Sequence, residues 1–385
     1  MAKIKLAEAC LKIGSGATPC GGKNIYCEDG ISLIRSQNIL DFDFSENGLA
    51  YINDDQAAKL KNVEVMEEDV LLNITGDSVA RVAMMDRKFL PARVNQHVAI
   101  IRAKKEIIEP SYILYYLQYQ KRYLLQLASA GATRKALTKS MIENLELELP
   151  AMEIQGRIVS ILDNIQEKIA TNRRINNNLE QQAQAIFKSW FVDFEPFCNQ
   201  KPSDWSVSTL ANVTLMSAGG DKPQNFSQVK TDLYQYPIYS NSLSEDGLYG
   251  FTNKPKVSEE SVTVSARGTI GFVCLRHIPY VPIVRLITLI PKIEIISAKY
   301  LYLWLKQLHI IGTGTTQQQL TVPDFQKTEI LVPSQEIMTL FTATVKPIFE
   351  KIWSNQNENE KLSALRDTLL PKLMSGELNV SNIEL

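Results

Sequence analysis

A chain of 385 residues, 45% of them hydrophobic, is long enough for two domains that each bury a core, which excludes a disordered chain. The net charge of -1, from 41 basic and 42 acidic residues, excludes a protein that neutralises many phosphates unaided, so any nucleic-acid role must use local or borrowed positive charge. Five cysteines (Cys10, Cys20, Cys27, Cys198, Cys274) form no CxxC pair and three histidines (His97, His277, His309) stand apart, so no disulfide framework or metal site is expected.

The opening "MAKIKLAEACLK" lacks the apolar core of a signal peptide, and the most apolar later run, "YVPIVRLITLIPKIEII", is broken by Arg285, Lys292 and prolines. A soluble cytoplasmic protein without membrane contact is expected. Over residues 1–150, short β-branched runs such as "VAIIRA" alternate with Gly, Asn, Asp and Pro, and one helix is predicted near "PSYILYYLQYQKRYLLQLAS". This predicts a compact α+β domain whose helical tyrosines pack in the core. "GSGATP" at Gly14 offers only GxG outside a strand-to-helix setting and reads as a loop.

Residues 151–195 predict one long helix. Ile154, Ile158, Ile161, Ile165, Ile175, Leu179, Ile186 and Trp190 trace a coiled-coil seam, with Lys168 and Asn172 as polar positions in it. A connector follows over 196–207, within "FEPFCNQKPSDW". A second α+β domain is predicted over 208–333 and a second helix over 334–378, with Ile337, Phe341, Ile348, Leu362, Leu365, Leu369 and Leu373 on its seam, Lys351 and Asn355 as its polar positions, and a kink or break at Pro347.

The halves repeat each other. "IQEKIATN" (165–172) shares five of eight letters with "IFEKIWSN" (348–355), and at the same offset "GATRKALTKSMIENLELELPAMEI" (131–154) aligns without a gap with "GTTQQQLTVPDFQKTEILVPSQEI" (314–337). Further upstream, "VMEEDVLLNITG" (65–76) aligns with "VSEESVTVSARG" (257–268), and "KLAEACLKIGSGATP" (5–19) with "TLANVTLMSAGGDKP" (209–223). The chain is two copies of one unit. A helix with an apolar seam needs a partner, and its own duplicate is at hand, so an antiparallel intramolecular coiled coil is expected, with a domain at either end and the helices as a ruler.

In this arrangement the sequence resembles the specificity (S) subunits of type I restriction-modification systems. The resemblance spans the whole chain. It is sharpest in "LEQQAQAIFKSWFVDFEP" (179–196), "LRDTLLPKLMSGEL" (365–378) and "LPAMEIQGRIVSILD" after the first domain, whereas the second copy departs with "VPSQEIMTLFTATVK", placing Met338 where Gln155 stands. The resemblance implies two target-recognition domains that each read half of a gapped site in double-stranded DNA, and conserved spacer helices that dock two methyltransferase subunits. Through these, restriction subunits join the full complex. It also implies a chain without catalysis or cofactor of its own, its partner methyltransferase using S-adenosylmethionine. No NPPY-like tetrad, phosphate loop or nuclease carboxylate cluster is found, and "PDFQKTEI" (323–330) reads as structural. The competing reading is a tandem-domain coiled-coil scaffold that binds proteins and no DNA.

Base-reading groups are sought among guanidinium and amide side chains on loops, because Arg matches guanine and Asn or Gln matches adenine. "IRSQN" (34–38) aligned with "IYSNS" (238–242) nominates Arg35, Ser36, Gln37, Asn38, Ser240 and Asn241. "GATRK" (131–135) aligned with "GTTQQ" (314–318) nominates Thr133, Arg134, Lys135, Thr316, Gln317 and Gln318, with Gln319 next in line. Arg267 and Arg81 complete the set. The polar residues differ between copies, as two unlike half-sites require; ordinary solvated loops are the alternative for each.

Overall fold

A computed structural model describes residues 2–19, 25–129, 135–310 and 319–381. The chain divides into two compact units, Met1–Asn172 with Asn357–Leu385, and Arg173–Gln356.

In the first unit β1 (Ala2–Lys5), α1 (Leu6–Ala9) and β2 (Cys10–Ser15) lead to β3 (Ile31–Ile34), β4 (Ala50–Ile52), α2 (Asp54–Lys59), β5 (Glu64–Val65), β6 (Val70–Asn73), β7 (Val82–Met84), β8 (Ala92–Val94) and β9 (Val98–Ala103). Then come α3 (Pro110–Tyr119), α4 (Lys121–Ser129), α5 (Lys139–Glu143), β10 (Glu146–Leu149) and the long α6 (Met152–Phe191). Two four-stranded sheets run in the orders β2-β9-β6-β7 and β4-β3-β8-β5, while β1 pairs antiparallel with β10. The strands β6 and β9 divide their side chains between two cores: Leu72, Ala99 and Ile101 pack with the tyrosines of α3, and Leu71, Val98 and Ile100 with Leu33, Ile34 and Val94 of the other sheet. Burial on both faces explains why these strands read as unbroken apolar runs. Tyr112, Tyr115 and Tyr116 are buried, as expected, whereas Tyr119 and Tyr123 of the same helical stretch are exposed.

The second unit contains β11 (Ser206–Thr209), α7 (Leu210–Val213), β12 (Thr214–Ala218), β13 (Phe226–Ser227), β14 (Tyr236–Tyr239), β15 (Leu248–Thr252), β16 (Ser261–Val264), β17 (Val273–Arg276), β18 (Val281–Pro282), β19 (Ile287–Pro291), α8 (Ala298–Gln307), α9 (Val322–Phe325), β20 (Glu329–Val332) and much of α10 (Gln335–Met374). Its sheets, β12-β19-β16-β17 and β13-β15-β14-β18, repeat those of the first unit, including the parallel pairing of β14 with β18 that matches β3 with β8. The copies differ at the edge of the second sheet, where β5 flanks one side and β13 the other.

Each long helix serves both units. In the first, Ile158, Val159 and Leu162 of α6 share a core with Leu370, Leu373 and Met374 of α10. In the second, Ala183, Phe187 and Phe191 of α6 share a core with Phe341, Val345 and Phe349 of α10. The two sharpest sequence signatures, 179–196 and 365–378, are therefore the helix ends that dock on a domain.

The pairing is antiparallel, and the repeated octets mark its polar middle. In the first unit Asn172 Nδ2 donates to Asn359 Oδ1 at 2.9 Å, and Asn359 Nδ2 donates to the Ile169 carbonyl at 3.4 Å. In the second, Asn355 Nδ2 donates to Asn176 Oδ1 at 2.8 Å, and Asn176 Nδ2 to the Ile352 carbonyl at 3.2 Å. The same two bonds are made twice by equivalent residues, and Asn172 and Asn355 are each 1% exposed. A buried amide that finds partners in only one alignment fixes register at some cost in stability.

Two expectations need correction. The seam is shifted: Val159, Leu162, Ile169 and Phe187 are buried, while Ile175, Leu365, Lys168 and Lys351 are exposed, because the docking domains bury helix faces that a two-helix pattern ignores. No break occurs at Pro347, since α10 runs unbroken from Gln335 to Met374. Proline removes one backbone donor, and burial of Val345 and Phe349 on either side holds the helix together. The connector expected over 196–207 is itself packed: Phe197 lies edge-on against Trp205 at 5.0 Å, Trp205 is buried, and Ser206 begins β11.

The departure at Met338 also has a physical reading. Gln155 is buried, and its amide accepts from the Glu109 N–H at 3.0 Å and donates to the Pro150 carbonyl at 2.9 Å and the Ile107 carbonyl at 3.2 Å, tying the start of α6 to the entry of α3. Met338 lies in the apolar core of the second unit, and there Thr342 Oγ1 donates to Ser297 Oγ, the N-cap of α8, at 2.9 Å.

Asp69 is a buried charge of the first unit. Its carboxylate takes both Arg102 Nε and Nη2 at 2.7 Å and also the Met66 N–H at 2.7 Å. Asp69→Ala leaves Arg102 without its anion and is expected to destabilise the first unit by about 3 kcal/mol. Denaturant unfolding followed by a probe in that unit checks this.

Candidate nucleic-acid interface

One rim of each domain gathers the ends of four strands. In the first domain β2, β3 and β6 all finish around the two-residue turn that joins β8 to β9: Asn95 N–H donates to the Ile34 carbonyl at 3.0 Å, Gly16 N–H to Val98 at 2.8 Å, and Ile74 N–H to His97 at 2.9 Å. The second domain repeats the frame around the β18–β19 turn, where Ile283 N–H donates to Tyr239 at 2.9 Å and Gly219 N–H to Leu286 at 2.8 Å. These bonds equate Ile34 with Tyr239, so the sequence alignment of "IRSQN" with "IYSNS" is one residue out of register.

The recurring letters are the frame. Gly16 and Gly219 run so close beneath the turns that a Cβ would meet the Asn95 carbonyl oxygen at 2.2 Å in one and the Ile283 nitrogen at 2.8 Å in the other. Leu137 and Leu320 donate to the carbonyls of Ile74 and Ala266, and Thr138 and Thr321 then cap α5 and α9. Gly76 and Gly268 take φ +78 and +69 directly after Thr75 and Arg267, turning the chain where other residues are strained.

Several nominated residues belong to this frame and do not face outward with free groups. Asn38 is fully buried, its Nδ2 donating to the Ser45 carbonyl at 2.9 Å and its Oδ1 accepting from the Arg35 N–H at 3.0 Å. Asn241 is similarly consumed: Nδ2 donates to the Val284 carbonyl at 2.6 Å and Oδ1 accepts from the Ala266 N–H at 2.8 Å. Short amides satisfying loop backbone groups explain both corrections. Ser240 Oγ donates to the Gly247 carbonyl at 3.3 Å. Arg35 Nη2 donates to the Gly48 carbonyl, and its Nε is buried without a hydrogen-bond partner among the described residues. Ser36 accepts from Asn73 Nδ2 through its carbonyl at 2.8 Å. Gln37 is exposed and leans on the Gly48 carbonyl at 3.0 Å.

Other nominees do meet at the rim. Arg267 Nε and Nη2 both donate to Gln319 Oε1, at 3.0 and 2.9 Å, joining two sequence candidates 52 positions apart. Lys135 is exposed and its carbonyl accepts from the Gly76 N–H at 3.2 Å, beside Thr75. Arg81 is half-buried, with its carbonyl accepting from the Asn73 N–H at 2.9 Å. Thr133, Arg134, Thr316, Gln317 and Gln318 lie outside the described residues.

Sequence reasoning missed the turns themselves. In the first domain Thr18 Oγ1 donates to Gln96 Oε1, Gln96 Nε2 meets His97 Nε2 at 3.0 Å, and His97 Nδ1 meets Thr75 Oγ1 at 2.6 Å. One direction of donation satisfies the whole chain, with His97 protonated on Nδ1. In the second domain Val284 and Arg285 have φ +52 and +60, left-handed values that two-residue hairpins ordinarily give to Asn-Gly. A β-branched residue there carries a cost on the order of 1–3 kcal/mol. The signal was an arginine set in an otherwise apolar run, "YVPIVRLITLIP".

Among the described residues no group of three or more His, Cys, Asp or Glu is placed to hold a metal, and no helix is long and apolar enough to cross a membrane. Asp324 of "PDFQKTEI" bonds Thr321 and Lys327 at the start of α9.

The MjaIX specificity subunit of Methanocaldococcus jannaschii, named as part of a type I restriction enzyme, is 25% identical over 404 residues, covering 97% of this chain and 92% of the relative. The HindI specificity subunit of Haemophilus influenzae is 26% identical over 401 residues, covering 82% and 87%. A crystal structure of the type I restriction-modification S subunit from M. genitalium shares the fold, with TM-score 0.57 at 15% identity over 97% of this chain and 96% of that one. The family model for the type I restriction modification DNA specificity domain matches twice, over residues 32–181 and 202–364, the two halves that carry the repeated frame. With two such domains, each holding one copy of the rim, the chain belongs to the type I restriction-modification DNA specificity family.

Proposed function

We propose that this chain is the non-catalytic specificity subunit of a type I restriction-modification complex, each domain reading one half of a gapped site in double-stranded DNA. The observation that carries this reading is a rim built twice on one hydrogen-bonded frame, with different side chains set in the two copies: Thr75, Gln96 and His97 in one, Arg267, Val284 and Arg285 in the other. Equal frames with unlike tips suit two unlike half-sites. Two methyltransferase subunits would dock on the long helices and supply S-adenosylmethionine chemistry and much of the phosphate contact that a chain of net charge -1 lacks, and restriction subunits would join through them.

The test is to assemble the chain with its methyltransferase and map methylated adenines on genomic DNA. A bipartite motif with an unspecified gap is expected. Absence of sequence-specific methylation by an intact complex would favour the protein scaffold instead. Within this reading Lys135→Ala should weaken binding to cognate and mismatched duplexes alike and reduce the log–log salt slope by about 0.9, as loss of one phosphate contact does. Titrations at several salt concentrations check that.

A further inference from the structure

We infer that the two-residue turns Gln96–His97 and Val284–Arg285 are the base-reading tips of the two domains. The inference rests on the DNA-reading role proposed above and names the residues that determine specificity within it. The turns occupy one position in the repeated fold: Val98 N–H closes the first on the Asn95 carbonyl at 3.1 Å, and Leu286 N–H closes the second on Ile283 at 3.0 Å. The frame beneath them recurs, down to the glycine that lets the neighbouring strand pass, yet the tips share no chemistry.

Each tip is held ready. Gln96 is fixed on one side by Thr18 and on the other by His97, which leaves the amide one donor hydrogen and an acceptor lone pair, the combination that matches an adenine edge. In the second domain the strained turn is clamped from three sides, by Asn241 Nδ2 on the Val284 carbonyl, by Val284 N–H on Gly220 at 2.9 Å and by Arg285 N–H on Gly219 at 2.9 Å. The side chains so displayed are both exposed. A valine methyl can pack on a thymine methyl and a guanidinium can fork onto guanine O6 and N7.

Charge points the same way. Thr75 and His97 touch in the first domain; the positions that correspond to them in the second hold two cations, Arg267 and Arg285. Arg267 is met by the neutral amide of Gln319, and Arg285 has no side-chain partner among the described residues. Neither guanidinium is bonded to an acid among the described residues, which suits an electron-rich partner such as the base edges of the major groove.

The test uses the assembled methyltransferase complex on the wild-type motif and on every singly mismatched duplex. Val284→Asn combined with Arg285→Gly places the residues that this turn geometry favours, so the variant should fold at least as stably as the wild type. It should nevertheless lose about 5- to 150-fold in discrimination at one or two adjacent positions of a single half-site. Gln96→Ala should relax one position of the other half-site and leave the first untouched. Unchanged discrimination in both variants, with the complex intact, overturns the inference while leaving the family role standing; relaxation of the same half-site by both overturns it as well. A wild-type complex that shows no motif refutes the proposed role, and this inference with it.

Discussion

Replacing residues 206–332 with the corresponding segment of a relative is expected to change one half of the methylated sequence completely and leave the other half as it was. The boundaries follow from the pairing of Ser206 with Val332 and Thr209 with Glu329, so the ladder that closes the second domain moves as a whole. Specific sites typically exceed non-specific ones by about 10³- to 10⁷-fold over a whole target, so preference for the original half-site, one of two, should fall by about 30- to 3,000-fold. One packing condition applies. Phe187 and Phe191 of α6 pack, tilted at 5.4 Å and edge-on at 4.9 Å, against Tyr300, which is replaced, and a graft without an aromatic there would leave a cavity under the helix. Complex assembly reports that failure separately from a change in reading. If both halves of the methylated motif change while assembly is intact, the domains do not read independently.

The repeat was legible in sequence because the frame admits few residues. Gly16 and Gly219 have no room for a Cβ, Leu137 and Leu320 are buried where they bond the ends of β6 and β16, and Thr138 and Thr321 must cap. Such constraints keep the same letters in both copies. The reading surface carried no such mark. Asn38 and Asn241 have the right chemistry for adenine, but each had already spent its amide on backbone, that of Ser45 for the one and of distant Val284 and Ala266 for the other, which spacing along a chain does not reveal. Arg285 looked like an interruption in an apolar run because both flanking strands are buried and only the two-residue tip is exposed. The seam slipped for a related reason: apolar residues such as Val159 and Phe187 serve the docking domain as well as the partner helix, and a heptad pattern has no term for a third neighbour.

Lengthening both long helices is expected to lengthen the unspecified gap and leave both half-sites unchanged. Four residues added after Asn172 in α6 and four after Gln356 in α10 fall where each helix passes from one unit to the other, and outside the cores that hold Leu162 and Phe187. Each insertion adds about 6 Å of rise and about 40° of rotation. Along DNA that rotation matches about one base pair and that rise about two, so a gap longer by one or two base pairs is expected. Four residues make a stutter, which unwinds a coiled coil locally without turning its seam away. The paired amides set the condition for success: Asn172 must keep Asn359 and Asn355 must keep Asn176, and because the two pairs lie equally far apart along both helices, extending only one helix would break one pair or the other. The single-helix insertion is therefore expected to cost assembly, while the double insertion assembles and methylates a new motif. Methylation mapping that returns the original gap from an intact double-insertion complex would show that the helices do not set the spacing.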